Sequence, residues 1–251
     1  MNTKIEIKQL NKIFIRNKET LEVLKDINLM LCENQFVSII GPSGCGKSTI
    51  LRILAGLEDE FSGEILVNGK NLANSSQKVC YMPQKDLLMP WRTVYKNIIL
   101  PLEIEGRLDS TESLGVKKLV KEFGLEGFEN FYPTEISGGM KQRAGLLRTF
   151  LMNSDIMLLD EPFGALDAIT RMNMQEWLLT VLSEHKKSVL FITHDIDEAV
   201  FLSDRVYVLS DRPASVVATL DIEFERPRTR EMLATQEFLK YKDLILKALR
   251  Y

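Results

Sequence analysis

Cysteine is scarce in this chain. Three thiols in 251 residues, Cys32, Cys45 and Cys80, are too few and too scattered for a disulfide framework or a metal cluster, which points to a reducing compartment. The net charge is only −3 at pH 7, and the missing basic excess argues against non-specific binding of nucleic acid. No apolar run approaches the ~20 residues that a membrane-spanning helix needs. The opening Met1-Asn2-Thr3-Lys4-Ile5-Glu6-Ile7 alternates like a strand and lacks a signal peptide's apolar core. Internal repeats and low-complexity linkers are also missing. These absences predict one large cytosolic domain whose membrane role, if any, comes through a partner.

Against this plain background, Gly41-Pro42-Ser43-Gly44-Cys45-Gly46-Lys47-Ser48-Thr49 matches the phosphate-cradling pattern G-x-x-x-x-G-K-[ST]. Residues 35–40 read as a short buried strand before it and residues 48–55 as a helix after it, the setting that the pattern requires. The glycines let backbone N–H groups face phosphate oxygens, and the helix presents the positive end of its dipole. Lys47 supplies a charge for the terminal phosphates and Ser48 a hydroxyl for magnesium. Cys45, beside those N–H dipoles and Lys47, is expected to have a lowered thiol pKa and raised reactivity.

Strand patterns at 5–10 and 64–67, the latter closed by Asn68-Gly69, predict an antiparallel β-rich edge. Buried strands are expected at 156–159, 189–192 and 206–209, with a helix at 169–183, a final helix at 231–251, and helical patterns from 85 to 150. The result is an α/β core with a parallel sheet, interrupted by a helical lobe. Asp160 and Glu161 follow the first of those strands, where a parallel sheet opens its ligand crevice. Asp160 would hold magnesium and Glu161 would accept a proton from the water attacking the γ-phosphate, unless the pair is an ordinary acidic turn before Pro162. His194 ends the next strand, and reads either as a structural histidine or as an imidazole orienting that water. Ser137-Gly138-Gly139-Met140-Lys141-Gln142-Arg143 opens a basic helix and reads either as an ordinary capped helix or as a second anion site, one that serves a nucleotide bound on another copy.

Taken together, these segments resemble the ATP-binding subunits of ABC transporters over nearly the whole chain. Residues 41–49 are similar to the Walker A loop, 156–161 to the Walker B strand with its catalytic glutamate, and 137–143 to the signature motif. Gln84, in Tyr81-Met82-Pro83-Gln84, falls at the Q-loop, Ala165-Leu166-Asp167 at the D-loop, and His194, in Thr193-His194-Asp195, at the switch histidine. The resemblance implies a P-loop NTPase core, RecA-like with a mostly parallel sheet, built from 1–84 and 151–251, with an antiparallel β edge and an inserted helical subdomain at 85–150. It implies ATP and Mg²⁺, with catalytic roles for Lys47, Gln84, Glu161 and His194 and metal contacts from Ser48, Gln84 and Asp160. It also implies a homodimer in which each ATP lies between one copy's Walker A loop and Ser137, Gly138 and Gly139 of the other. Phe14 is expected to stack on adenine, where relatives usually carry tyrosine; the stretch 15–22 is read as preceding the next strand.

Further segments, among them Glu161-Pro162-Phe163-Gly164-Ala165-Leu166-Asp167 and Val208-Leu209-Ser210-Asp211-Arg212-Pro213, resemble the nitrate/sulfonate/taurine group of bacterial importers, to which thiamine-precursor systems are similar. This implies a peripheral subunit on the cytoplasmic face of the membrane, bound to permease subunits and through them to a solute-binding protein. The apolar Leu87-Leu88-Met89-Pro90-Trp91 after Gln84 either receives a short permease helix or packs inside the lobe. Two other readings are a nucleotide-switched binding module without a membrane partner and a small-molecule kinase; the second does not need Ser137-Gly138-Gly139 or Gln84.

Overall fold

Two β-sheets of different character order the fold. A computed structural model of the chain describes residues 2–16, 19–72, 79–85 and 87–250, the side chains of 16, 110–114 and 181–183 left aside. In the first sheet β1 (Thr3–Arg16) pairs antiparallel with both β2 (Glu19–Cys32) and β4 (Ser62–Val67), and β5 (Lys70–Asn71) completes the order β2-β1-β4-β5. The expected strands at 5–10 and 64–67 are direct partners, with Ile5 opposite Val67 and Ile7 opposite Ile65. Asn68 and Gly69 have φ of 48° and 75°, the left-handed pair that a two-residue hairpin turn demands. The stretch 15–22 is not a lead-in to the next strand. It folds back as a hairpin, with Phe14 opposite Leu21 and Ile15 opposite Thr20, while Asn17 and Lys18 lie outside the described residues, as do Met1 and Tyr251.

The second sheet contains β3 (Phe36–Ile40), β6 (Cys80–Met82), β7 (Ile156–Asp160), β8 (Ser188–Ile192), β9 (Arg205–Leu209) and β10 (Val216–Asp221), in the order β10-β9-β3-β8-β7-β6. All pairs are parallel except β10 on β9. Every residue of β3, β7 and β8 is buried, as strands covered on both faces must be. The pleat sends alternate side chains to opposite faces. Val37, Ile39, Leu158 and Leu190 join a cluster with helix α1 (Lys47–Leu54) and the inner face of the antiparallel sheet. Phe36, Ile40, Leu159 and Phe191 join the other, under the remaining helices.

Between β6 and β7 lie α2 (Val94–Ile98), α3 (Leu100–Ile104), α4 (Ser110–Glu122) and α5 (Gly138–Phe150). Thr93 and Ser137 cap α2 and α5 by accepting from the Lys96 and Met140 amides, which satisfies first-turn N–H groups left without an intrahelical partner. Helices α6 (Ala168–His185) and α7 (Ile196–Leu202) follow β7 and β8. The C-terminal segment is a 3₁₀ turn, Arg230–Ala234, then α8 (Gln236–Ala248), rather than one continuous helix, because Thr235 takes an extended conformation and caps α8. This topology leaves the carboxyl ends of β3, β7 and β8 side by side at one edge, where a parallel sheet opens to ligands.

Candidate functional site

The loop after β3 wraps the start of α1. At the helix's N-cap, Gly46 has φ 129°, and a Cβ there would lie 2.8 Å from Val23 Cγ1 and Leu24 Cδ2, so conformation and space both demand glycine. No side chain caps α1 and its first turn carries no acid, which leaves its N–H groups free to bind an anion. Lys47 is buried at 6% exposure, and its ammonium donates to the Gly41 and Pro42 carbonyls, each at 2.8 Å. Ser43, Gly44, Gly46, Lys47, Ser48 and Thr49 line a cleft of about 440 Å³. Phe14, Gln84 and Glu161 line the same cleft, so one cavity brings together most of the expected residues. A larger cavity of about 680 Å³ lies between α6 and residues 226–231. Its arginines are already paired, Arg230 with Glu176 at 2.9 Å and Arg226 with Asp204 at 2.8 Å, and we place the site in the smaller cleft.

At the end of β7, Asp160 is 3% exposed and its Oδ1 has no hydrogen-bond partner. Burial pushes its carboxyl pKa above the usual value; a hydrogen bond with Ser48 opposes that, Glu161 adds to it and Lys47 opposes it. A buried, half-satisfied carboxylate beside a hydroxyl is a hard oxygen donor set of the kind that magnesium takes, with the remaining ligands left to phosphate and water. Among the described residues no cluster of three or more His, Cys, Asp or Glu is placed to hold a metal by itself. One stability result follows. Between the unfolded carboxyl pKa near 3.8 and its raised folded value, the native state binds the extra proton, so stability falls as pH rises through that window and the deficit persists above it. In the metal-free chain at pH 7.5, Asp160→Asn is therefore expected to raise the melting temperature, with the gain shrinking as pH falls below the raised pKa. Differential scanning calorimetry in EDTA reads this; an unchanged or lower melting temperature at pH 7.5 would contradict it.

Glu161 is the centre of the constellation. Its φ is 48°, and its amide donates to the Ile192 carbonyl at 3.0 Å, locking the end of β7 to that of β8. Its Oε2 accepts from Gln84 Nε2 at 2.9 Å and lies 3.5 Å from His194 Nδ1. Thus Gln84 and His194, more than a hundred residues apart in sequence, converge on one carboxylate oxygen. Two neighbours, Gln142 and Arg212, lie in segments singled out above in which neither is given a role. Gln142 on α5 donates to the Glu161 carbonyl at 3.1 Å and accepts from the Ala165 amide at 2.8 Å. Arg212, which lines the cleft, donates through Nε to the Gly44 carbonyl at 3.0 Å.

Two expected residues need comment. Cys45 is not an activated thiol: it is 2% exposed, and burial pushes its pKa up more than Lys47 lowers it. Phe14 does reach the cleft, and the Lys12 ammonium lies 4.6 Å from its ring centroid, a cation–π contact. Ser137, Gly138 and Gly139 stand apart. None of them lines the cleft, Ser137 caps α5, and a Cβ on Gly138 would meet nothing within 4 Å, so this helix end opens outward.

A glycine-rich loop before an uncapped helix, acids at the neighbouring strand end and the β10-β9-β3-β8-β7-β6 sheet define a P-loop nucleotide-binding fold. Comparison gives the particular family: the family profile described as ABC transporter matches residues 24–164, and the chain belongs to that family. It is 45% identical over 251 residues, covering 100% of this chain and 92% of the relative, to an uncharacterized ABC transporter ATP-binding protein of Methanocaldococcus jannaschii. It is 41% identical to the aliphatic sulfonates import ATP-binding protein SsuB of Bacillus cereus, covering 94% of this chain and 93% of that protein. It is 38% identical to the nitrate import ATP-binding protein NrtD of Synechocystis, covering 98% and 95%. Among solved structures, a dimeric post-hydrolysis state of an ATP-binding cassette bound to ADP and Pi superposes with a TM-score of 0.79 at 29% identity, covering 88% of this chain and 100% of that one.

Proposed function

We propose that this chain is the ATP-hydrolysing subunit of an importer for nitrate/sulfonate/taurine-like or thiamine-precursor solutes, working as a homodimer bound to permease subunits. The observation that carries the reading is the convergence of Gln84 and His194 on Glu161 at the mouth of the phosphate-loop cleft. In the mechanism Lys47 exchanges the Gly41 and Pro42 carbonyls for phosphate oxygens, while the α1 amides cradle the phosphates. Phe14 offers a π face to the base. Ser48 and Asp160, with Gln84, would hold a magnesium ion, which when bound neutralises charge on the β- and γ-phosphate oxygens. Glu161 takes the proton of the attacking water, Gln84 holds the carboxylate in place, and His194 lies close enough to orient the water and to register the γ-phosphate. Ser137, Gly138 and Gly139, remote from their own cleft, serve the nucleotide of the second copy. The names of the relatives and the dimeric cassette support import and pairing, and a solute-binding protein outside the membrane completes the system.

We place the permease contact on the segment after Gln84, carried by residues 85–150 moving as a lobe. The two readings of this segment divide by residue. Leu88 is buried at 8% exposure, whereas Leu87 and Trp91 are exposed at 61% and 73%. Asn97 fixes the backbone between them, donating to the Met89 carbonyl at 3.1 Å and accepting from its amide at 2.7 Å. Arg148 on α5 donates to the Leu87 carbonyl at 3.0 Å. A rigid backbone presenting an unburied tryptophan is an anchor for a partner, and no described helix is long and apolar enough to cross a membrane by itself. Trp91→Glu is expected to leave the melting temperature and basal ATPase of the purified chain unchanged, while copurification with the permease and solute uptake fall at least ~10-fold. Full uptake by the variant would remove Trp91 from the interface.

A further inference from the structure

The imidazole of His194 has little packing to aim it: its side chain is 64% exposed, and among the described residues its polar contact is Glu161 Oε2 at 3.5 Å. Its direction therefore depends on the backbone that carries it, and that backbone is held by a buried polar chain. The Thr193 hydroxyl donates to Glu198 Oε2 at 2.6 Å and accepts from the Asp195 amide at 3.0 Å, so it pins the turn on both sides of His194. Glu198, 7% exposed on the first turn of α7, accepts through its other oxygen from Gln175 Nε2 at 3.0 Å, and Arg171 Nε lies 3.9 Å from that oxygen. Gln175 Oε1 accepts from Arg230 at 3.0 Å.

The helix that carries Glu198 is itself fixed at both ends. Asp195 Oδ1 accepts from the Asp197 and Glu198 amides at 2.8 and 3.2 Å. The buried Arg228 donates to the carbonyls of Val200, Phe201 and Ser203 at 3.2, 3.0 and 2.7 Å. An ionisable side chain below the surface is unfavourable unless its partners repay it, and an apolar residue would seat α7 on α6 without that cost. What the carboxylate adds is a fixed acceptor for the Thr193 hydroxyl.

We propose that Glu198 is a positioning residue for hydrolysis, which through the Thr193 hydroxyl sets the turn that aims His194 at Glu161, with Gln175 and Arg230 bracing it from behind. The proposal rests on the reading of His194 given above. It differs from a role in packing alone, since its effect must pass through one imidazole.

The test is a double-mutant cycle on ATP turnover by the full chain. Glu198→Ala is expected to lower kcat roughly 10- to 100-fold, with KM and nucleotide affinity kept within about twofold. Placed on His194→Ala, the same change is expected to add less than about twofold, because the group it positions is already gone. Glu198→Gln, which still accepts from Thr193, retains most of the turnover. Thr193→Val deletes the same hydroxyl without touching α7, and should reproduce both the loss and its disappearance in the His194→Ala background; it carries the test if alanine at 198 does not fold. Losses that multiply in the double variants, or that track a falling melting temperature while KM rises, overturn the positioning role. An unchanged kcat in His194→Ala alone overturns the reading of His194 itself, and the proposal with it.

Discussion

ATP turnover by Glu161→Gln is expected to fall ~10²–10⁴-fold, while nucleotide binding survives and the nucleotide-bound dimer persists. The substitution removes only the proton acceptor. A glutamine at 161 still offers an oxygen to Gln84 Nε2, now 2.9 Å from the carboxylate, and its backbone keeps the amide bond to Ile192 and the carbonyl bond to Gln142. The groups read above as holding phosphate and magnesium are elsewhere: Lys47 and the α1 amides depend on β3 and the loop after it, and the Ser48–Asp160 pair on α1 and the end of β7. Binding and hydrolysis are therefore separable at this one side chain. If hydrolysis is what reopens the dimer, a variant that binds but does not hydrolyse should elute as a dimer on gel filtration with ATP and as a monomer without it. Turnover near that of the unsubstituted chain would sink the assignment of Glu161 as base.

How far the molecule can be read in advance depends on the range of the interactions involved. The phosphate loop is local: glycine spacing, Lys47, and a strand and helix on either side all lie within about twenty residues, and the structure has them where expected. The strands 156–159, 189–192 and 206–209 announce themselves as apolar runs because both faces are covered. Strands β6 and β10 do not. The first has three residues and the second alternates half-buried and exposed positions at the sheet edge, so neither produces a run. Gln142 lies inside a quoted motif, yet its role depends on bonds to residues 161 and 165 that only packing of α5 against the β7 loop creates. Arg212 meets Gly44 across 168 positions of sequence. Cys45 misleads for the opposite reason: its neighbours in sequence are basic and dipolar, but burial, a tertiary property, outweighs them. The buried bond from Thr193 to Glu198 spans five residues and is in principle legible, since a Thr before His194 and a Glu on the next helical turn can meet; its meaning emerges only with Gln175 and Arg171 around it.

Ser137→Arg is expected to abolish ATP-driven dimerisation while leaving each subunit's own nucleotide binding intact. The cleft that would bind ATP is lined by the loop after β3, the start of α1, the β1–β2 hairpin, Gln84, Glu161 and Arg212, and Ser137 is not among them, so monomer affinity has no reason to change. The α5 N-terminus, by contrast, opens outward at Gly138, as a surface that docks onto another copy's phosphates must. A side chain several atoms longer at its first position holds the two surfaces apart. Overpacking a closed interface costs ~1–3 kcal/mol, about 5- to 150-fold in association. Loss of the Ser137 cap to the Met140 amide, 3.3 Å, is a separate effect of roughly 0.5–2 kcal/mol on α5, and Ser137→Ala carries it without the bulk. Built into Glu161→Gln, where the closed state accumulates, Ser137→Arg should elute as monomer with ATP and Ser137→Ala mostly as dimer. Mixing Ser137→Arg with Lys47→Ala subunits leaves one intact composite site in each heterodimer, and turnover recovered on mixing would show that the site is shared. Unaltered dimerisation of Ser137→Arg would instead place the signature helix outside the nucleotide interface and leave its open N-terminus without a task.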